Sequence, residues 1–354
     1  MPSADAWGCV SYGNFEMRWV SINQEVGMRT IRWGIIGVGD VTEVKSGPGF
    51  QKADNSSLVA VMRRNGALAK DYAERHNVPR WYDDAAALIY DPDVDAVYIA
   101  TPPYAHKQYT LLSAAAGKPV YVEKPMALTW ADCQEMISAC RAANVPLWVA
   151  YYRRALPRFI KIKELIAAGA IGEPRTVTIS LYRPANPGLF DPHNLPWRVV
   201  PELSGGGIFV DMGSHTLDFL DYLFGPIRTV RGVAVNQGRL YPAEDQVAGT
   251  FVFDSGVVGV GTWCFTTFQE VDQTEIVGTK GKIAFATFTP EPIIVATAEG
   301  RQELAIGDPP HVHQPLIQTI VDELNGVGAC PSTGESGART TWVVDQILAD
   351  YRNR

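Results

Sequence analysis

Three things are scarce in this 354-residue chain, and each scarcity excludes a class of protein. Long apolar runs are missing: none approaches the roughly 18 residues that would suggest a membrane span. Paired cysteines are missing too. Cys9, Cys133, Cys140, Cys264 and Cys330 are odd in number and scattered, with no CxxC, which argues against a disulfide framework or a zinc site and for reduced thiols in the cytoplasm. Basic charge is not in excess: 31 Lys and Arg stand against 38 Asp and Glu, a formal charge of -7, so no nucleic-acid partner is expected. Internal repeats and low-complexity tracts are also absent. Residues 1–27 carry Asp5, Glu16 and Glu25 and no apolar core, so they are not a signal peptide. They are expected to be a mis-assigned start or a disordered extension; an ordered segment packing on a partner subunit is the alternative.

What is present is a two-domain pattern. From Ile31 to Tyr151, short β-branched runs alternate with helical segments, predicting a parallel sheet covered on both faces over residues 28–151. One helix is expected over Asp40–Ala53. The strands expected at Ile31–Ile36, Leu58–Met62, Ala96–Ala100, Val120–Val122 and Leu147–Ala150 set the register. Over residues 152–354 the pattern changes to period-2 strands with hairpin turns at Asp254-Ser255-Gly256 and Thr279-Lys280-Gly281. The expected strands there are Thr229–Gln237, Gln246–Phe253, Val257–Phe265, Asp272–Val277 and Ile283–Phe288, preceded by Thr176–Tyr182. Helices are expected at Leu156–Ala168, Gly207–Phe224, Gln314–Leu324 and Gly337–Tyr351, with a proline-rich loop over Asn186–Ser204. The fold class is thus α/β: a Rossmann domain followed by an α+β domain with an open, mostly antiparallel sheet.

Gly37-Val38-Gly39 ends the first strand and opens a helix. Gly37 allows the tight turn, Gly39 lets backbone approach a pyrophosphate, and the helix start at Asp40 and Val41 supplies N–H groups to phosphate oxygens. Asp40 can cap that helix. Thr42 takes the place of the usual third small residue, so close packing there is expected to suffer slightly. The second strand ends Met62-Arg63-Arg64-Asn65, with no carboxylate for a ribose 2′-hydroxyl and two guanidinium groups suited to a 2′-phosphate. NADP(H) is therefore favoured over NAD(H), with Arg63 and Arg64 as readers; solvated surface arginines are the alternative.

Glu123-Lys124-Pro125 follows a predicted parallel strand, at the end where ligands of such sheets sit. A lysine there can donate to a substrate oxygen. Asp211 and His215 lie four apart on a predicted helix and so share a face. An imidazole can pass a proton to or from a hydroxyl, and a nearby carboxylate can orient it. A metal at that pair would need further ligands, of which only His193 is close in sequence; no metal is expected.

These motifs jointly resemble the glucose–fructose oxidoreductase/inositol dehydrogenase (Gfo/Idh/MocA) family. The marks are Gly37-Val38-Gly39, Ala100-Thr101-Pro102-Pro103 with His106, Glu123-Lys124-Pro125, Tyr152-Arg153-Arg154, and Gly205-Gly206-Gly207 leading to Asp211, His215 and Asp218. The resemblance runs from Met28 to Arg354. It implies cofactor contacts at Thr101, Pro102, His106, Glu123, Lys124 and Arg153, and substrate contacts at Lys124, Tyr152, Arg153, Asp211 and His215. It also implies a catalytic set in which His215 is the general acid/base, Asp211 its partner and Lys124 the electrophilic donor. Trp197 and Arg198 could hold a polyhydroxy ring, or Trp197 could simply anchor its loop. The implied substrate is a sugar, keto-sugar or cyclitol, in a homodimer or homotetramer joined through the second sheet. A non-catalytic nucleotide sensor and a reductase of a non-sugar ligand are the rival functions. His311-Val312-His313 looks like a metal pair but is expected to be a loop and helix cap.

Overall fold

The computed structural model describes residues 27–353 apart from 186, 187, 189 and 192. The expectation for residues 1–26, and part of that for the proline-rich loop, lie outside the described residues. The first sheet has six parallel strands: β1 Ile31–Ile36, β2 Ser56–Met62, β3 Arg80–Tyr82, β4 Ala96–Ile99, β5 Val120–Val122 and β6 Leu147–Val149. Their order is β3-β2-β1-β4-β5-β6, the doubly wound Rossmann arrangement. The reversal of order between β1 and β4 opens a crevice at the strand C-termini, where Gly37–Gly39, Ala100–Pro102 and Glu123–Pro125 emerge.

The second sheet has eight strands: β7 Pro174–Pro184, β8 Ile227–Val235, β9 Gln246–Phe253, β10 Val258–Thr267, β11 Val271–Gly278, β12 Gly281–Phe285, β13 Ile293–Thr297 and β14 Gly300–Leu304. Their order is β14-β13-β12-β11-β7-β10-β9-β8; only β7 and β10 pair in parallel. Period-2 alternation buries Phe251, Phe253, Trp263 and Ile276 on the inner face, against the helices Ile208–Phe224 and Gly334–Arg352. The outer face shows Val233, Val258 and Val260 to solvent. Strands β3, β13 and β14 were not expected. The first is three residues long, and the last, Gly-Arg-Gln-Glu-Leu, is an exposed edge strand with no apolar alternation.

The helix expected over Asp40–Ala53 is broken into Asp40–Val44 and Gly47–Lys52. Pro48 cannot donate to the carbonyl of Val44, and its ring crowds that turn. The freed carbonyls find partners far along the chain: His311 Nδ1 lies 2.7 Å from Val44 O, and His313 N–H donates to Lys45 O at 3.2 Å. There the chain enters the Gln314–Leu324 helix, whose Leu316, Ile317, Ile320 and Val321 are fully buried beside Trp33, Phe50 and Tyr98. Each such side chain contributes about 1.5–3 kcal/mol by leaving water. A segment from beyond residue 152 thus completes the core of the first domain, which the sequence pattern closes at Tyr151. Cys133, Cys140, Cys264 and Cys330 are buried and form no disulfide among the described residues, and Cys9 lies outside them.

Candidate active site

The turn after β1 is built around Gly37. Its N–H and that of Val38 both donate to Met62 O, at 2.8 and 3.2 Å, tying the end of β1 to the end of β2. Gly37 has φ of +94°, and a Cβ on it would meet Thr101 Cγ2 at 2.7 Å, so no other residue fits. A Cβ on Gly39 would instead meet nothing within 4 Å. The space before the Asp40–Val44 helix is open, with the helix N–H groups facing it. This is the shape a dinucleotide pyrophosphate requires. Two local expectations change. Gly39, not Asp40, is the N-cap; Asp40 is exposed at the first helical position and makes no capping bond. Thr42 is no packing defect: fully buried, its hydroxyl donates to Gly39 O at 2.8 Å and accepts from Gly39 N–H at 2.9 Å. Arg63 and Arg64 stand exposed at the end of β2, next to this turn, with no acidic partner among the described residues.

Lys124 and Asp211 are 87 residues apart in sequence and paired in space. Lys124 Nζ donates to Asp211 Oδ1 in a short contact and to Asp211 O at 3.0 Å, joining the two domains. The other oxygen, Oδ2, lies 3.4 Å from Arg198 Nε, whose guanidinium sits over Trp197 at 4.5 Å. Burial would raise the Asp211 carboxyl, but the Lys124 ammonium, helped by Arg198 and Lys45, holds it below the usual carboxylate range. Trp197 is half-buried in a 3-10 turn, Trp197–Val199, pinned by Val199 packing on Tyr241 and Ala243.

His215 lies one helical turn deeper and is 5 % exposed. The expected partnership with Asp211 is not observed: the carboxylate is taken by Lys124 and Arg198, and His215 Nδ1 has no hydrogen-bond partner among the described residues. The ring is held instead by aromatic edges, with centroids 5.4 Å from Tyr152 and 5.9 Å from Tyr151 and Phe288. Burial first, then the charges of Arg153 and Lys124, push its pKa well below the ordinary histidine range, so the ring is neutral near pH 7.

Arg153 is buried in the 3-10 turn Tyr152–Ala155. It donates through Nε to Thr287 O at 3.1 Å and lies over Phe288 at 4.6 Å and Tyr152 at 5.0 Å, the same rings that flank His215. Its neighbour Arg154 grips Asp218 through two 2.8 Å bonds and reaches Asp221 at 3.2 Å, fastening this turn to the helix that bears Asp211 and His215. Thr101 and Pro102 line the crevice half-exposed. His106 does not reach it. Fully buried, the ring has Nε2 2.7 Å from Thr101 O and Nδ1 3.1 Å from Pro125 O, so it braces the two turns from beneath.

Glu123 is turned inward. It accepts from Tyr98 OH at 2.5 Å and from its neighbour's backbone, Lys124 N–H, at 3.1 Å. Burial pushes its carboxyl up, against the pull of Lys124. Beside it lies His313, with Nε2 3.7 Å from Glu123 Oε1, Nδ1 3.2 Å from Tyr121 OH and its ring 4.5 Å from Tyr152. His313 does occupy the helix cap position, but its side chain makes no capping bond. Burial and the charge of Lys45 lower its pKa to about 3. Neither His313 nor Lys45 is recognisable as a site residue from sequence. Their partners lie far along the chain: His313 meets Glu123, Tyr121 and Tyr152, and its N–H donates to Lys45 O.

Comparison with known proteins gives a consistent result. Residues 31–151 match the oxidoreductase family with an NAD-binding Rossmann fold, and residues 159–284 match the GFO/IDH/MocA C-terminal domain. The chain is 38% identical over 315 residues to oxidoreductase P35 of Formosa agariphila, covering 89% of this chain and 97% of that protein. It is 30% identical over 315 residues to 1,5-anhydro-D-fructose reductase of Ensifer adhaerens, covering 86% and 92%. Among solved structures, aldose-aldose oxidoreductase from Caulobacter crescentus, complexed with glycerol, superposes with a TM-score of 0.80 at 25% identity. That match covers 92% of this chain and 98% of the other.

Proposed function

The chain belongs to the Gfo/Idh/MocA oxidoreductase family, and on that premise we propose that it moves a hydride between NADP(H) and a carbinol carbon of a sugar-, keto-sugar- or cyclitol-like substrate. The observation that carries this is the Lys124–Asp211 pair bridging the domains beside a neutral, buried His215. Gly37, Gly39, Asp40 and Val41 would hold the cofactor's pyrophosphate, and Thr101, Pro102 and Lys124 would line its nicotinamide end. The exposed and unpaired Arg63 and Arg64 support NADP over NAD, since a 2′-phosphate would give them the anion they lack. When bound, the cofactor supplies or accepts the hydride.

The protein's own part is proton and charge management. Lys124 donates to the substrate oxygen and stabilises its alkoxide character as the carbon gains or loses hydride. Asp211 holds the ammonium in place. His215, uncharged before substrate arrives, accepts the hydroxyl proton in the oxidative direction and returns it in the reductive one. Tyr152 and Trp197 offer ring faces to a polyhydroxy ligand. The apolar outer face at Val233, Val258 and Val260 supports pairing with a second copy through the sheet.

The test is turnover of NADP⁺ and NADPH against a panel of polyols, aldoses and keto-sugars, with NAD⁺ and NADH in parallel. Turnover with at least one of them, faster with NADP(H), is expected. Binding of the dinucleotide with no turnover on the whole panel would overturn the proposal.

A further inference from the structure

The chain as a whole is acidic, yet the cleft is not. Four cations act on the candidate site: Lys45, Lys124, Arg153 and Arg198. Two carboxylates, Asp211 and Glu123, answer them. Four against two leaves an excess of two positive charges, with both imidazoles, His215 and His313, held neutral by burial. Lys124 and Arg198 share Asp211. Lys45, exposed at the far end of the Asp40–Val44 helix, acts on the site through its charge.

Arg153 has no such account. It is 6 % exposed, it makes no ion pair, and its terminal NH1 has no hydrogen-bond partner among the described residues. The acids nearby are engaged elsewhere. Asp272 accepts the backbone N–H groups of Thr287, Phe288 and Thr289 at 2.6 to 3.0 Å, Asp308 lies 3.8 Å from Arg158, and Asp218 is held by Arg154. A buried guanidinium without an anion is costly, and the aromatic faces of Tyr152 and Phe288 offset only part of that cost.

Resting on the hydride-transfer proposal above, we infer that the substrate is a sugar acid, whose carboxylate is received by Arg153 beside His215. The carboxylate offsets one of the two excess charges and fits the planar guanidinium fork. It also relieves the positive field on His215, so the same ligand that needs a base makes that imidazole a better one.

The experiment compares three substrates on one carbon skeleton: a neutral sugar, its carboxylate and its phosphate ester. The carboxylate should have a kcat/KM about 10–100-fold above the neutral form, the size of a hydrogen bond to a charged group. Arg153→Met should collapse that ratio, and Arg153→Lys, which keeps the charge and loses the fork, should restore part of it. Equal use of acid and neutral sugar, preference for the phosphate ester, or an unchanged ratio in Arg153→Met would each overturn the inference. If none of the three is turned over, hydride transfer to this substrate class is refuted separately. Calorimetric binding of the sugar acid to wild type and Arg153→Met then decides the matter: binding that depends on Arg153 upholds the inference, and absence of binding overturns it.

Discussion

Arg153 and Arg154 are consecutive, equally buried and part of one 3-10 turn, yet they live in opposite electrostatic settings. Arg154 is saturated: two carboxylates, a helix carbonyl and the Pro331 carbonyl take its donors. Arg153 has one carbonyl, three aromatic rings and, among the described residues, no anion. A saturated buried cation is a fastener, since everything it needs is inside the protein. An unsaturated one is held ready for something that arrives. Lys124 combines the two roles, with an internal carboxylate and an approach to the crevice.

The contrast can be tested at decreasing scale. Lys124→Ala should abolish turnover while dinucleotide binding, followed by fluorescence titration, persists. His215→Ala should cost about 10²–10⁴ in the chemical rate measured in single turnover. A wild-type rate in either removes that residue from the mechanism. For the fasteners the readout is stability. Arg154→Met leaves Asp218 and Asp221 short of their buried partner and should cost about 3–5 kcal/mol in urea unfolding, whereas Arg153→Met should be near neutral. Equal losses would erase the distinction drawn between them. Replacing Arg63 and Arg64 together by alanine should weaken NADPH binding by about 10–100-fold and NADH much less, as expected for charged hydrogen bonds to a phosphate; equal weakening would mean that no phosphate is read there.

The smallest effect concerns Glu244, which accepts from Gly207 N–H at 2.7 Å where the Ile208–Phe224 helix begins. Burial raises its carboxyl to about 7 from an ordinary value of 4.5. Between those values the native state binds more protons than the unfolded one, so stability falls as pH rises through the window. Glu244→Gln should flatten that slope in thermal unfolding scans between pH 4.5 and 7. An unchanged slope would assign it to other groups.

How much of this was legible in the sequence depended on how local each signal was. Gly37, Gly39 and the Glu123–Pro125 turn are readable because strand, turn and helix follow within a few residues. The Asp211–His215 spacing correctly put both on one helix, but spacing says nothing of competitors, and Lys124 and Arg198 took the carboxylate. The helix break at Gly47-Pro48 carried a clear proline signal within the segment expected as one helix. Strand β14 was hidden because an exposed edge needs no apolar alternation. His313 was marked only as half of a His-Val-His pair, and its site neighbours were hidden: Glu123, Tyr121 and Tyr152 surround it only after the chain has doubled back.

That doubling back governs how the molecule is made. The nucleotide-binding half has its own sheet by residue 149, but the side chains that roof Trp33, Phe50 and Tyr98 leave the ribosome some 170 residues later. Until then a broad aromatic floor stays wet, inviting chaperones or neighbouring nascent chains. A clone cut at Tyr151 should therefore yield an aggregating fragment, and the two halves should melt together rather than in turn.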